Sequence, residues 1–148
     1  VILMIKDKFT SHLRKEKGQA FQSRCKKYIV ETFFRKFSHL VDNKDITSCP
    51  SCHHGEDLWL SNELREILPV SIECKYRATD YKHINKNYDQ AVEQTRKLAR
   101  TDSIIPLLFI KRGTQDALAV LRIQHLLDLY LELAEVKEQL KEKQYEHI

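Results

Sequence analysis

The chain has 148 residues, 42% of them hydrophobic and 31% charged, with a formal net charge of +4. That length suits one domain with a single core, and that balance describes a soluble globular chain rather than a disordered one. No stretch approaches the roughly eighteen apolar residues of a membrane span, and Val1 to Ile5 is too short for a signal-peptide core. The cysteines lack the spacing of a secreted disulfide framework, so a cytoplasmic protein with no membrane association is expected, its start at Met4.

Residues 18–37 carry Phe21, Cys25, Tyr28, Ile29 and Thr32 at helical spacing, with Arg24, Lys26 and Lys27 projecting elsewhere, which predicts an amphipathic helix. Residues 42–56 mix Asp, Asn, Ser, Pro, Cys and His and read as a loop. A short strand is predicted over 58–60, after which Ser61-Asn62 caps one or two helical turns ending before Pro69. In residues 70–76, Val70, Ile72 and Cys74 alternate with Ser71, Glu73 and Lys75. A strand of that period sends the apolar set into a core and the polar set to the opposite face. Residues 87–100 read as a helix with Tyr88, Val92, Thr95 and Ala99 on one stripe. Residues 104–111 and 117–122 read as a hairpin around Gly113, and residues 124–148 as a long helix. The predicted order is α-β-β-α-β-β-α, an α/β domain spanning 1–148 in which helices pack on a mixed sheet.

Charge is unevenly distributed along this order. Residues 1–36 carry ten Lys or Arg against three acids, whereas residues 124–148 carry three Lys against six acids. A basic end of this kind suits a polyanion, above all nucleic acid, whose neutralised phosphates release condensed counterion. In the last helix Leu126, Leu129, Leu133, Val136 and Leu140 alternate spacings of three and four, the pattern of a coiled-coil seam. Beyond Val136 the remaining residues are mostly Glu, Lys and Gln, so a partner helix and a homodimer are expected.

The chemistry concentrates around Asp57 and Glu73-Cys74-Lys75. Asp57 lies where a turn enters the 58–60 strand, and a hairpin-like return through Pro69 brings it toward Glu73. Two carboxylates so placed suit Mg²⁺, which takes one or two protein carboxylates and fills its octahedron with water and phosphate oxygens. Such an ion lowers the pKa of a bound water and neutralises charge on phosphate. Lys75, beside Glu73 on the strand, is positioned to orient that water or hold the phosphate. Downstream, Tyr76, Arg77, Tyr81, Lys82, His83 and Lys86 interleave aromatic with cationic groups, which suits contact with phosphate and base or sugar near a metal. Upstream, Cys49 and Cys52 with His53 or His54 can bind zinc, although a lone Cys-x-x-Cys without a second pair is a weak signal.

Lys17-Gly18-Gln19-Ala20-Phe21 opening a helix, Gly55-Glu56-Asp57, Ile72-Glu73-Cys74-Lys75 and the later Asp89-Gln90-Ala91 occur in an order that resembles the PD-(D/E)xK nuclease superfamily. Within it, the chain is most similar to Holliday junction resolvase-like and phage-encoded endonucleases, over roughly residues 15–125. The resemblance implies a restriction-endonuclease-like mixed sheet flanked by helices, and a Mg²⁺- or Mn²⁺-dependent endonuclease that cuts DNA, branched DNA such as four-way junctions in particular. It implies Asp57, Glu73 and Lys75 as the catalytic core, with the Cys74 carbonyl as a further metal ligand. It also implies Gln90 as a group steadying the lysine or a phosphate. Lys17, Arg24, Lys26, Lys27, Arg77, Tyr81 and Lys82 become the expected DNA contacts. One departure stands out: Gln22 occupies the position where archaeal-type resolvases usually present a glutamate. Its amide oxygen is expected to orient water or reach the metal, and either Glu56 compensates for the missing acid or the site holds its metal more weakly. A restriction-like, repair or nonspecific nuclease of the same fold is the rival reading, and a noncatalytic DNA-binding module is another, which Gln22 favours.

Overall fold

The structure, a computed structural model, describes the backbone of residues 2–37, 44–49, 55–77, 81–98 and 103–145, and the side chains of 12–33, 44–49, 55–77, 81–98 and 103–143. The elements follow as α1 (Ile2–Phe37), β1 (Ile46–Ser48), β2 (Leu58–Leu60), α2 (Asn62–Ile67), β3 (Val70–Arg77), α3 (Ile84–Arg96), β4 (Ile105–Arg112), β5 (Leu118–Val120) and α4 (Ile123–Tyr145). They build a mixed sheet with helices on it and a long C-terminal helix.

The five strands stand in the order β1-β2-β3-β4-β5, antiparallel except for the parallel pair β3 and β4. Antiparallel neighbours are joined by short returns, whereas a parallel pair needs a crossover, which α3 supplies. Register is fixed at Leu58 opposite Ile72, Glu73 opposite Leu108 and Lys75 opposite Ile110. Gly113, with φ of 52°, turns the chain between β4 and β5, as expected for the residue that tolerates the left-handed region. Its N–H closes on the Arg77 carbonyl at 2.8 Å.

Helices cover both faces of the sheet. On one side α1 delivers Phe21, Cys25 and Ile29 onto Ile46, Leu58, Leu60, Val70 and Ile72. On the other, Tyr88 of α3 meets Leu108 and Ile110 of β4, with Tyr81, Ile84 and Val92 around them. Burying an aliphatic chain of this size contributes about 1.5–3 kcal/mol, so these two layers fix which face of β3 each residue occupies. The alternation predicted along β3 is present, but the polar face is not solvated: α3 covers it, and Ser71 and Glu73 are each 1% exposed.

Several boundaries differ from the sequence expectation. α1 runs through Gly18 from Ile2 rather than opening at Gly18. Its buried stripe takes in Gln22, while Tyr28 is exposed and Thr32 turns back to bond the Tyr28 carbonyl at 2.7 Å. The segment 42–56 is not all loop, since Ile46–Ser48 pairs with β2. Three residues with one buried isoleucine give too short a period to register as a strand. α3 starts at Ile84, ahead of the predicted Asn87, and ends at Arg96; Ala99 lies outside the described residues.

α4 meets the body of the domain near its first turns, where His125 and Asp128 wall a cavity of about 940 Å³ with Trp59, Arg65 and Pro69. Leu126, Leu129, Leu133, Val136 and Leu140 remain between 38% and 57% exposed. Among the described residues no helix is long and apolar enough to cross a membrane.

Candidate functional site

The return from β2 to β3 brings Asp57 against Glu73. The Asp57 backbone N–H donates to the Ile72 carbonyl at 3.0 Å, and its carboxylate Oδ2 accepts the backbone N–H of Cys74 at 2.8 Å. These two bonds pin both ends of the residue to β3 on either side of Glu73. The Asp57 and Glu73 carboxyls are close enough to perturb each other's ionisation, and Lys75 Nζ ion-pairs with Glu73 Oε1. Glu73 Oε2 is buried with no hydrogen-bond partner.

The electrostatics of this cluster follow from burial. Desolvation pushes the Glu73 carboxyl up from its ordinary value, the neighbouring Asp57 charge adds to the rise, and Lys75 opposes it. Asp57 is also raised by burial, against the pull of the Cys74 N–H and Lys75. Two acids thus share one lysine, which pairs directly with Glu73 alone. Among the described residues no set of three or more His, Cys, Asp or Glu comes together. A pair of carboxylates is nonetheless the protein contribution that Mg²⁺ typically takes, water and phosphate completing the shell.

Glu56 does not join the pair. Its carboxylate is 6% exposed and ion-paired with Arg65, whose other nitrogen donates to the Val70 carbonyl at 2.8 Å. Cys74 turns its thiol to the opposite face of the sheet, toward Cys25 of α1. Gln22 lies on that face too, 5% exposed, and its amide nitrogen donates to the carbonyls of Cys49, at 3.0 Å, and Asp57. It therefore acts as a brace that holds the 49–57 return against α1, through the donor end of the amide rather than the oxygen expected to face metal or water. Cys49 stands beside Asp57, its N–H on the Asp57 carbonyl at 2.9 Å. Cys52, His53 and His54 lie outside the described residues.

On the α3 side, Lys75 continues into a cavity of about 590 Å³ lined also by Arg77, His83, Lys86, Asn87 and Gln90. Gln90 is thus brought to the same opening as Lys75, exposed at its rim. Gln94, one turn further along α3, is the residue that stands next to Glu73. Sequence reading passed over Gln94, although its spacing of four from Gln90 was the available signal. Tyr81 packs against the α3 core and carries the Arg112 guanidinium 5.5 Å above its ring, so its ring is engaged within the fold. Lys17, Arg24 and Lys27 are exposed on α1 and Lys26 half-buried there, across the sheet from α3; Lys27 pairs with Glu31 at 3.7 Å.

No protein-family profile, no curated protein and no solved structure matches the chain.

Proposed function

We propose that the chain is a divalent-metal-dependent DNA endonuclease of the PD-(D/E)xK kind, with a restriction-endonuclease-like fold, that acts on branched DNA such as four-way junctions. The observation that carries the reading is the placement of Asp57 against β3 beside the buried Glu73, with Lys75 ion-paired to Glu73 and opening onto a cationic cavity. The layout of the sheet supports it as well: a helix on one face, three antiparallel strands, a helix on the other face, then a parallel strand.

The residues fit a hard, oxygen-seeking ion. Asp57 and Glu73 would hold it, and the unpartnered Glu73 Oε2 is the oxygen left for it. When bound, Mg²⁺ or Mn²⁺ supplies a water of lowered pKa and neutralises charge on the phosphate, worth several kcal/mol in the transition state. The chain's own groups do the positioning. The Cys74 N–H fixes the rotamer of Asp57, Lys75 is poised to release from Glu73 toward the attacking water or the scissile phosphate, and Arg77 adds positive charge at the opening. Burial of the carboxylates strengthens each of these interactions relative to bulk water.

Symmetric incision of a junction calls for two sites, and α4 offers the means of pairing them. Its uncovered Leu126, Leu129, Leu133, Val136 and Leu140 form the a and d positions of a heptad seam, which places Glu132 at g and Lys137 at e. In a parallel, in-register pair, Glu132 of one copy faces Lys137 of the other, and the reverse contact repeats it. That charge match is why the occupant of this face is a second copy of the chain.

Incubating the purified full chain with Mg²⁺ and labelled linear, flapped and four-way DNAs tests the reading. Mg²⁺-dependent cuts that favour the four-way junction support it. Equal cutting of linear duplex makes the protein a general nuclease, and binding without cutting makes it a noncatalytic DNA-binding module.

A further inference from the structure

The cavity beside Lys75 has features of its own that the carboxylate pair does not account for. Lys75, Arg77 and Lys86 supply its charge, with His83 and Gln90 at the edge. At its wall lies Asn87, only 4% exposed. The Asn87 Oδ1 accepts from Arg77 Nη2 at 2.5 Å, and the Nδ2 is buried with no hydrogen-bond partner. A buried amide donor left unpaired is costly, and a ligand that accepts from it recovers that cost. The N-terminus of α3 ends at the same place. His83 caps it without a side-chain hydrogen bond, and its first turn contains no acid, so the positive end of the helix is not neutralised from within.

Cations, an orphaned amide donor and an unneutralised helix N-terminus converge on one opening at the carboxyl end of β3, and together they select a ligand with several acceptor oxygens and negative charge. From this convergence we infer that the cavity is a phosphate site, which holds an internal phosphate of a nucleic-acid strand next to the phosphate presented to Asp57 and Glu73. The identity of the strand rests on the nuclease reading; the phosphate chemistry does not. A volume of about 590 Å³ leaves room for the adjoining sugar. Arg77 links the site to the fold, since its guanidinium is oriented by Asn87 and retains further N–H groups for a ligand.

The test uses the ¹⁵N-labelled full chain in EDTA, so that no metal-dependent step enters. Inorganic phosphate is titrated first, then a single-stranded oligonucleotide with and without a 5′-phosphate. The expected result is saturable movement of the Asn87 side-chain amide and the Lys86 backbone signal with phosphate and with both oligonucleotides. Arg77→Gln and the surface change Lys86→Gln should each weaken binding by roughly tenfold, the worth of one charge-assisted hydrogen bond. Lys86→Gln keeps the test valid should Arg77→Gln disturb the fold. Phosphate that moves neither signal overturns the site, and a response only to free or 5′-terminal phosphate overturns its assignment to an internal strand phosphate. Binding here without Mg²⁺-dependent cleavage keeps the site and removes the nuclease reading. Cleavage with a silent Asn87 does the reverse.

Discussion

Asp57 accepts the backbone N–H of Cys74 at 2.8 Å, so the first carboxylate is locked to the strand between the second carboxylate and the lysine. A side chain held at that point cannot swing away to solvent when its neighbour ionises. The consequences can be measured.

The chemistry should depend on three groups. Asp57→Asn, Glu73→Gln and Lys75→Ala are each expected to lower Mg²⁺-dependent cleavage at least about a hundredfold, since each removes several kcal/mol of transition-state stabilisation at about 1.4 kcal/mol per decade. DNA binding in EDTA should survive. Cleavage by Glu73→Gln at the wild-type rate would remove the pair from the mechanism.

Stability should respond to pH and metal together. Burial raises both Asp57 and Glu73, so the folded state holds its protons more tightly than the unfolded chain. Their contribution is complete below the unfolded carboxyl value near 4 and is lost as pH rises through the folded value. Without metal, melting temperature should therefore fall more steeply in wild type than in Glu73→Gln as pH rises above the unfolded carboxyl value. On the proposed reading Mg²⁺ would bind the deprotonated pair, and its stabilisation should then grow with pH. Melts in EDTA and in Mg²⁺ for both proteins decide it, and identical curves for wild type with and without Mg²⁺ at pH 8 would count against a metal at this pair.

Gln22 is a brace, so a carboxylate there should harm the protein. Gln22→Glu leaves the Cys49 carbonyl without its Gln22 donor, removes one of two donors from the Asp57 carbonyl and sets a buried charge against both, an expected loss of about 1–3 kcal/mol. Denaturant titration measures this. A stable Gln22→Glu with a lower Mg²⁺ requirement would restore the metal-facing role expected from the sequence.

Gly18 lies inside α1, and a Cβ built there meets nothing within 4 Å. Gly18→Ala should stabilise the chain by about 0.5–1 kcal/mol through helix propensity and leave cleavage unchanged. Destabilisation would mean that the helix opens at Gly18.

Pairing through α4 should be separable from chemistry. Leu133→Lys with Val136→Glu places charges in the seam and should give monomers in sedimentation that still nick DNA but lose paired incision of a four-way junction. A monomeric wild type would end the pairing proposal.

Much of the fold was legible in one dimension, because periodicity reports burial directly. The alternation in 70–76, the turn at Gly113 and the Phe21, Cys25 and Ile29 stripe all correspond to elements of the structure. β1 was not legible, because three residues carry no period, and neither was the start of α1, because a glycine in mid-helix mimics a boundary. The sequence by itself determined which residue types were present for chemistry: an aspartate at the turn into one predicted strand, a glutamate and a lysine on the next, and a cationic stretch after them. Only the tertiary structure decided their environment. The pairing of β2 with β3 sets Asp57 beside Glu73, α3 buries the polar face of β3, and α1 directs Gln22 to the backbone of the return. Burial and contact between distant segments depend on how layers close over one another, and the local pattern of a strand is the same whether water or a helix covers it.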